Sequence, residues 1–267
     1  MKNKYLTLLF LMCVILFLYS QNNFIQITHY QITNDKIPNN FDGYKIIQIS
    51  DYHNVKSKIL NKKLINNIKK INPDSIVITG DLVDATNTDI NQAIKFIQEL
   101  KDFPVYYVTG NHETWINNYE LLKINLIKNN ITILENDVVT IEKENQTINL
   151  IGIDDSVSKN NALDKIDNIE YNPKKYNILL SHRPELFDVY IEKNIDLALT
   201  GHAHGGQVRI PFIGGLIAPE QGLLPKYTSG IHKDSNTTMI VNRGIGNSVI
   251  PLRINNHPEL VLITLNK

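Results

Sequence analysis

The run Ile195-Asp196-Leu197-Ala198-Leu199-Thr200-Gly201-His202-Ala203-His204-Gly205-Gly206 decides how the rest of the chain is read. Its first half is apolar and bounded by turn signals, as a buried strand is. Its second half sets two imidazoles two residues apart, where the strand ends and the chain must turn. In an extended segment side chains alternate, so His202 and His204 would point to one side. In a glycine-rich turn they splay toward two neighbouring points, and the glycines let the backbone come close to whatever sits there. A His-x-His pair alone fits satisfied or surface histidines as well as a metal site. Its meaning depends on what the other strand ends supply.

Upstream, Phe24 to Thr33 alternates apolar and polar residues, the pattern of a half-buried strand. Tyr44 to Ile49 reads as a strand ending in Ser50-Asp51-Tyr52-His53. Ile59 to Ile71 has helical spacing, with Leu60, Leu64, Ile68 and Ile71 on one side and Asn72-Pro73 as the stop. Ser75 to Thr79 is a strand ending in Gly80-Asp81, and Ile90 to Leu100 a second helix. Val105 to Thr109 is a strand ending in Gly110-Asn111-His112-Glu113. Three strand–motif–helix units in succession predict parallel βαβ topology. Residues 131–153 read as short strands, and 154–172 as a polar loop. Tyr176 to Leu180 is a strand ending in Ser181-His182-Arg183-Pro184, and further strands lie near Thr237–Val241 and Leu260–Leu265. No repeat is visible, and no linker divides the chain into two globular domains.

Five strands therefore end in polar groups: Asp51-x-His53, Asp81, Asn111-His112, His182 and His202-x-His204. Ligand sites in open α/β sheets lie at the carboxyl ends of strands. Each motif alone is a common turn; five in sequence are hard to explain as turns. Leaving His112 aside, seven candidate ligands are too many for one tetrahedral zinc site and suit two adjacent divalent ions. The one cysteine, Cys13, lies in the first apolar run, so no thiolate site or disulfide is available to the rest. Mixed nitrogen and oxygen ligation suits Mn, Fe or Zn.

Lysine plus arginine number 27, as do aspartate plus glutamate, so no net charge recruits nucleic acid. No protein partner is implied. Residues 1–22 carry Lys2 and Lys4, then an almost wholly apolar run from Tyr5 to Tyr19, closed by Ser20-Gln21-Asn22-Asn23. That length is at the short end of a membrane span. Leu18-Tyr19-Ser20 lacks the small residues of a cleavage site, which favours an uncleaved anchor over a signal peptide. The lysines precede the run and none follows until Lys36, which places the N-terminus in the cytoplasm and residues 24–267 outside.

The order Asp-x-His, Gly-Asp-x-x-Asp, Gly-Asn-His-Glu, a lone His, then Gly-His-x-His over residues 51–204 resembles the calcineurin-like metallophosphoesterases. The resemblance implies an α/β fold: a four-layer α-β-β-α sandwich of two mixed sheets, here behind one N-terminal apolar helix. It implies Asp51, His53 and His204 on one ion, Asn111, His182 and His202 on the other, and Asp81 bridging. Manganese is the favoured metal. His112 would stand near the leaving oxygen and donate a proton or a charged hydrogen bond, with Asp84 holding its other nitrogen. Asp84 as a helix cap is the plainer reading. Glu113 and Arg183 flank motifs, where they would orient ligands or meet phosphate. Hydrolysis would be in line, with no covalent enzyme intermediate.

Gly201-His-Ala-His-Gly-Gly-Gln207, Lys226-Tyr-Thr-Ser-Gly230, Asn242-Arg-Gly-Ile-Gly-Asn-Ser248 and the apolar N-terminus are most similar to the membrane-anchored bacterial phosphodiesterase branch. That branch includes enzymes cleaving UDP-2,3-diacylglucosamine, which implies a phosphodiester or pyrophosphate bond in a lipid-linked or nucleotide-sugar substrate. Asp84 is followed by Ala85-Thr86 where protein phosphatases carry Arg-Gly, which counts against a phosphoprotein substrate. A broad phosphomonoesterase, a nucleotide phosphodiesterase and a metal-binding scaffold without catalysis are the alternatives; a scaffold would need a broken ligand position, and none is broken. Finally, Pro211 to Pro225 is apolar but interrupted by Gly and Pro, so it forms neither a long helix nor a central strand. It reads either as a core-packed loop or as an exposed lip where Leu216, Leu223 and Leu224 meet lipid chains.

Overall fold

A computed structural model describes residues 2–155, 158–247 and 252–267. In chain order the first half holds α1 (Lys2–Asn23), β1 (Gln26–Thr33), β2 (Lys45–Ile49), α2 (Lys58–Ile71), β3 (Ser75–Thr79), α3 (Ile90–Gln98), β4 (Val105–Val108), α4 (Asn111–Trp115), α5 (Tyr119–Lys128) and β5 (Thr132–Ile133). Then follow β6 (Asp137–Lys143), β7 (Gln146–Gly152), α6 (Lys159–Asp167), β8 (Asn177–Leu180), α7 (Phe187–Glu192) and β9 (Leu197–Thr200). Two short ribbons come next, β10 (Arg209–Ile210) with β11 (Gly214–Gly215), and β12 (Ile217–Ala218) with β13 (Gly222–Leu223). The chain closes with β14 (Gly230–Asp234), β15 (Thr237–Val241) and β16 (Glu259–Asn266).

The strands form two six-stranded mixed sheets, ordered β1-β16-β2-β3-β4-β5 and β14-β15-β9-β8-β7-β6. Strands β2 to β5 run parallel, as the βαβ pattern predicts, and so do β7, β8, β9 and β15. Strand alternation explains the layering. Ile76 and Ile78 of β3 pack with Leu64, Phe96 and Leu126 from α2, α3 and α5. Val77, between them, faces Leu150, Ile178 and Leu199 of the other sheet. On the far side Leu179 and Ala198 pack with Ala162, Ile166, Phe187 and Tyr190 from α6 and α7. Three separate cores between four layers are the α-β-β-α sandwich.

Local rules hold each helix. Ser57 Oγ accepts from Leu60 N at 3.2 Å to open α2, and Asn72 closes it in the left-handed region at φ 50° before Pro73. Asp89 Oδ1 accepts from Gln92 N at 2.9 Å to open α3. Helix α1 runs past the apolar stretch to Asn23, and there Ser20, Asn22 and Asn23 donate back to carbonyls three or four residues earlier. One expectation fails: the polar stretch 154–172 is not all loop but contains α6. That helix buries only Ala162 and Ile166, too thin a stripe to read among polar neighbours.

Candidate metal centre

The parallel strands of both sheets deliver their carboxyl ends to one place. Asp51 and His53 follow β2, Asp81 follows β3, Asn111 opens α4 after β4, His182 follows β8, and His202 and His204 follow β9. Backbone bonds lock neighbouring ends together within each sheet: Asp51 N donates to Gly80 O at 3.1 Å, and Gly201 N to His182 O at 3.0 Å. His202 N donates to both carboxylate oxygens of Asp51 at 3.1 Å.

Two groups of donor atoms result, each within 4.8 Å of one another: Asp51, His53, Asp81 and His204, and Asp81, His182 and His202. In the first, His53 Nε2 is 3.3 Å from His204 Nε2 and 3.5 Å from Asp81 Oδ2, and His204 Nε2 is 3.3 Å from Asp51 Oδ1. In the second, His182 Nε2 is 3.2 Å from Asp81 Oδ2, 3.1 Å from Asn111 Oδ1 and 3.1 Å from His202 Nδ1. Asp81 Oδ2 belongs to both groups, and among the described residues no donor is aligned on this buried atom. Imidazole nitrogens opposed across an orphaned carboxylate oxygen, once deprotonated, are a donor set that divalent cations fit.

The backbone is shaped for this. Asp51, His53, Asp81, His202 and His204 all take left-handed φ, from 47° to 65°. Such conformations cost free energy outside glycine and persist where surrounding structure over-determines them, typically at functional sites. Two glycines admit the close approach: a Cβ on Gly110 would strike Asp81, and one on Gly201 would strike Ser50 and Asp51.

Surrounding groups aim the donors. His182 Nδ1 faces Thr79 O at 2.8 Å, which leaves Nε2 turned inward. Burial alone would lower His182, but the Asp81 carboxylate facing it, with Asp51 and Asp155, carries it up to about 10. His204 goes the other way: burial, with His53 and Arg253 nearby, pushes it down to about 3. Glu113 accepts from Gly110 N at 2.7 Å, Asp81 N at 2.8 Å and Val83 N at 3.1 Å, so one carboxylate ties the loops after β3 and β4. Burial and the adjacent Asp81 push Glu113 up to about 7.

His112 lies beside the first group, its ring centroid 4.4 Å from that of His53. Its Nδ1 accepts from Ala85 N at 2.9 Å, which puts the proton of the neutral ring on Nε2. Asp84 lies within 4.8 Å of His112 and His53. Its Oδ1 accepts from Thr86 N at 2.7 Å and Asn87 N at 3.1 Å, so it caps its own turn rather than a helix. Arg183 is buried in a two-point pair with Asp155, Nε to Oδ1 at 2.7 Å and Nη2 to Oδ2 at 2.9 Å. Its Nη1 lies 3.5 Å from Glu220. Leu223 and Leu224 are exposed and Leu216 is half-buried.

Residues 44–206 match the family described as calcineurin-like phosphoesterase. The chain belongs to that family. It is accordingly a metal-dependent phosphoester hydrolase. The uncharacterized metallophosphoesterase YkuE of Bacillus subtilis is 31% identical over 257 residues, covering 92% of this chain and 87% of that protein. A Danio rerio protein named as a transmembrane protein with metallophosphoesterase domain is 26% identical, over 89% of this chain and 56% of its own. Among solved structures, TT1561 of Thermus thermophilus aligns at TM-score 0.48 and 12% identity, over 76% of this chain and 90% of that one.

Three residues at the site carry no motif. Gln48 bridges the sheets beneath it, donating to Thr79 Oγ1 at 3.1 Å and Thr200 O at 2.9 Å. Arg253, fully buried, donates to Arg243 O at 2.9 Å and Gly246 O at 2.5 Å. It thereby fixes the loop whose Gly246 N donates to Asp51 O at 2.7 Å. Glu220 Oε2 lies 2.6 Å from His202 Nε2. A polar residue amid an apolar strand was the available signal for Gln48; a single carboxylate amid an apolar loop was that for Glu220. Of the stretch 242–248, Ser248 lies outside the described residues.

Proposed function

We propose that the chain hydrolyses a phosphodiester or pyrophosphate bond in a lipid-linked substrate of the UDP-2,3-diacylglucosamine type, with two divalent ions, preferably manganese. The observation that carries the reaction is Asp81 Oδ2, buried, without an aligned donor among the described residues, and facing both histidine groups. Asp51, His53 and His204 would hold one ion, Asn111, His182 and His202 the other, and Asp81 both. Two such ions lower the pKa of water and offset charge that develops on phosphoryl oxygens.

The chain's own groups do the rest. His112 presents Nε2–H to the leaving oxygen while Ala85 N fixes its tautomer. Asp84 holds the turn that carries Ala85. Arg183, set by Asp155, would meet phosphate through Nη1, which lies 3.4 Å from Glu185 and 3.5 Å from Glu220. Leu216, Leu223 and Leu224 would receive acyl chains. Residues 1–22 would anchor the catalytic part, 24–267, outside the cytoplasmic membrane; α1 is long and apolar enough to cross one.

Metal-supplemented hydrolysis of a panel tests this: a nucleotide-diphosphate lipid-sugar, a glycerophosphodiester, a cyclic nucleotide and a simple monoester. The lipid-sugar should be cleaved with the highest kcat/KM. Preference for the monoester would overturn the substrate assignment. Asp81→Asn should lose both ions by elemental analysis; two retained ions would overturn the bridge.

A further inference from the structure

Three features surround the mouth of the metal cleft. First, a cleft of about 410 Å³ is lined by His53 and Asp84 and also by Asn22 and Asn23, the last residues of α1. Asn247 Nδ2 donates to Asn22 Oδ1 at 3.2 Å, and Ser57 Oγ donates to Asn23 Oδ1 at 3.3 Å. The end of the apolar helix is thus one wall of the cleft.

Second, the segment touching that helix end is basic. Lys56, Lys58, Lys62 and Lys63 are all exposed, and no carboxylate occurs from Val55 to Asn72. Third, across the metal-ligand set, Glu220 fastens the two short ribbons to His202. Their tips turn apolar side chains outward: Phe212 is fully exposed, Ile213 is 64% exposed and Leu223 is 74% exposed. Phe212 and Leu224 even take left-handed φ, 67° and 51°, which bulky side chains rarely adopt. The ribbons are pinned from beneath, where Gln221 and Tyr227 exchange two hydrogen bonds at 2.8 and 2.9 Å.

An exposed apolar tip is costly on a water-facing surface. One surround satisfies all three features together: an apolar interior for α1 and the tips, with phosphates above it for the lysines. We propose that the mouth of the metal cleft is seated on an anionic phospholipid bilayer, by Lys56, Lys58, Lys62 and Lys63 on one side and the tips at Phe212 and Leu223 on the other. This rests on the anchored reading of α1 and adds that the catalytic part lies down on the membrane. The scissile phosphate then enters from the headgroup layer.

The 267-residue chain has one tryptophan, Trp115. Phe212→Trp in a Trp115→Phe background therefore puts a single reporter at the tip, and Ile213→Trp is a second placement should the first fold poorly. Each is incorporated into vesicles of phosphatidylcholine with phosphatidylglycerol, with flotation measured in parallel and brominated acyl chains as quencher. The expected result is flotation together with blue-shifted emission that brominated lipid quenches several-fold, more strongly than on neutral vesicles. Flotation with water-like, unquenched emission at both placements overturns the seating and leaves the anchor standing. No flotation overturns both.

Discussion

Glu220 Oε2 lies 2.6 Å from His202 Nε2, while Nδ1 of the same ring looks toward His182. The pair links the apolar ribbons to the second donor group. A carboxylate on the outer nitrogen of a ligating histidine fixes the tautomer and strengthens the inner nitrogen as a donor. The same bond holds the Glu220 carboxyl below the usual range, although its side chain is half exposed.

Glu220→Gln keeps the size of the side chain and removes the charge. It should weaken binding of one of the two ions by about 10–100-fold, the usual scale for such partners. Competition titration with a metal indicator reads this directly. Two sites of unchanged affinity would make Glu220 a passenger.

His112→Ala should keep its metals and lose about 10²–10⁴ in turnover, the scale of general acid catalysis. The loss should shrink on p-nitrophenyl esters, whose leaving group needs no proton. Equal losses on poor and good leaving groups would remove His112 from that role.

Metal binding should depend on pH in a stated direction. His182, carried up to about 10, holds its proton at neutral pH in the metal-free protein. A cation at Nε2 must displace that proton, so affinity should rise with pH through the neutral range and level off above about 10. His204, down at about 3, is already neutral there and releases none. Calorimetry in two buffers of different ionisation enthalpy should show proton release on loading. Identical heats in both would refute this assignment for His182.

The sequence carries the cluster of candidate donors because each stands at a strand end, and strands announce themselves by β-branched runs such as Ser75–Thr79. The layering follows from the same alternation: Val77 had to face one way and its two isoleucine neighbours the other. What stayed hidden depends on the partner a side chain meets. Asp84 and His112 lie 28 residues apart in sequence, and only the folded turn shows Ala85 N between them. Arg183 stands next to a motif histidine in the sequence, but only the fold shows Asp155 holding two of its nitrogens. Glu220 has no spacing relation to His202 that marks it.

The lip decides between a lipid substrate and a soluble one. Leu223 and Leu224 are 74% and 61% exposed, so neither supports the core, whereas Leu216 is half-buried. Exposed positions usually change stability by less than about 0.5 kcal/mol when replaced. Leu223→Ser with Leu224→Ser should therefore leave Tm within about 2 °C. Adding Leu216→Ser should lower Tm further and blur the reading, so the double variant is the cleaner test. Full burial of a leucine is worth about 1.5–3 kcal/mol, so acyl chains lying on two of them should make KM for a lipid-linked substrate rise at least about tenfold on replacement. Hydrolysis of a small soluble phosphodiester should barely change, since the ligand set and His112 are untouched. A parallel loss on both substrates would mean the ribbons shape the metal centre itself. No change on either would mean acyl chains lie elsewhere.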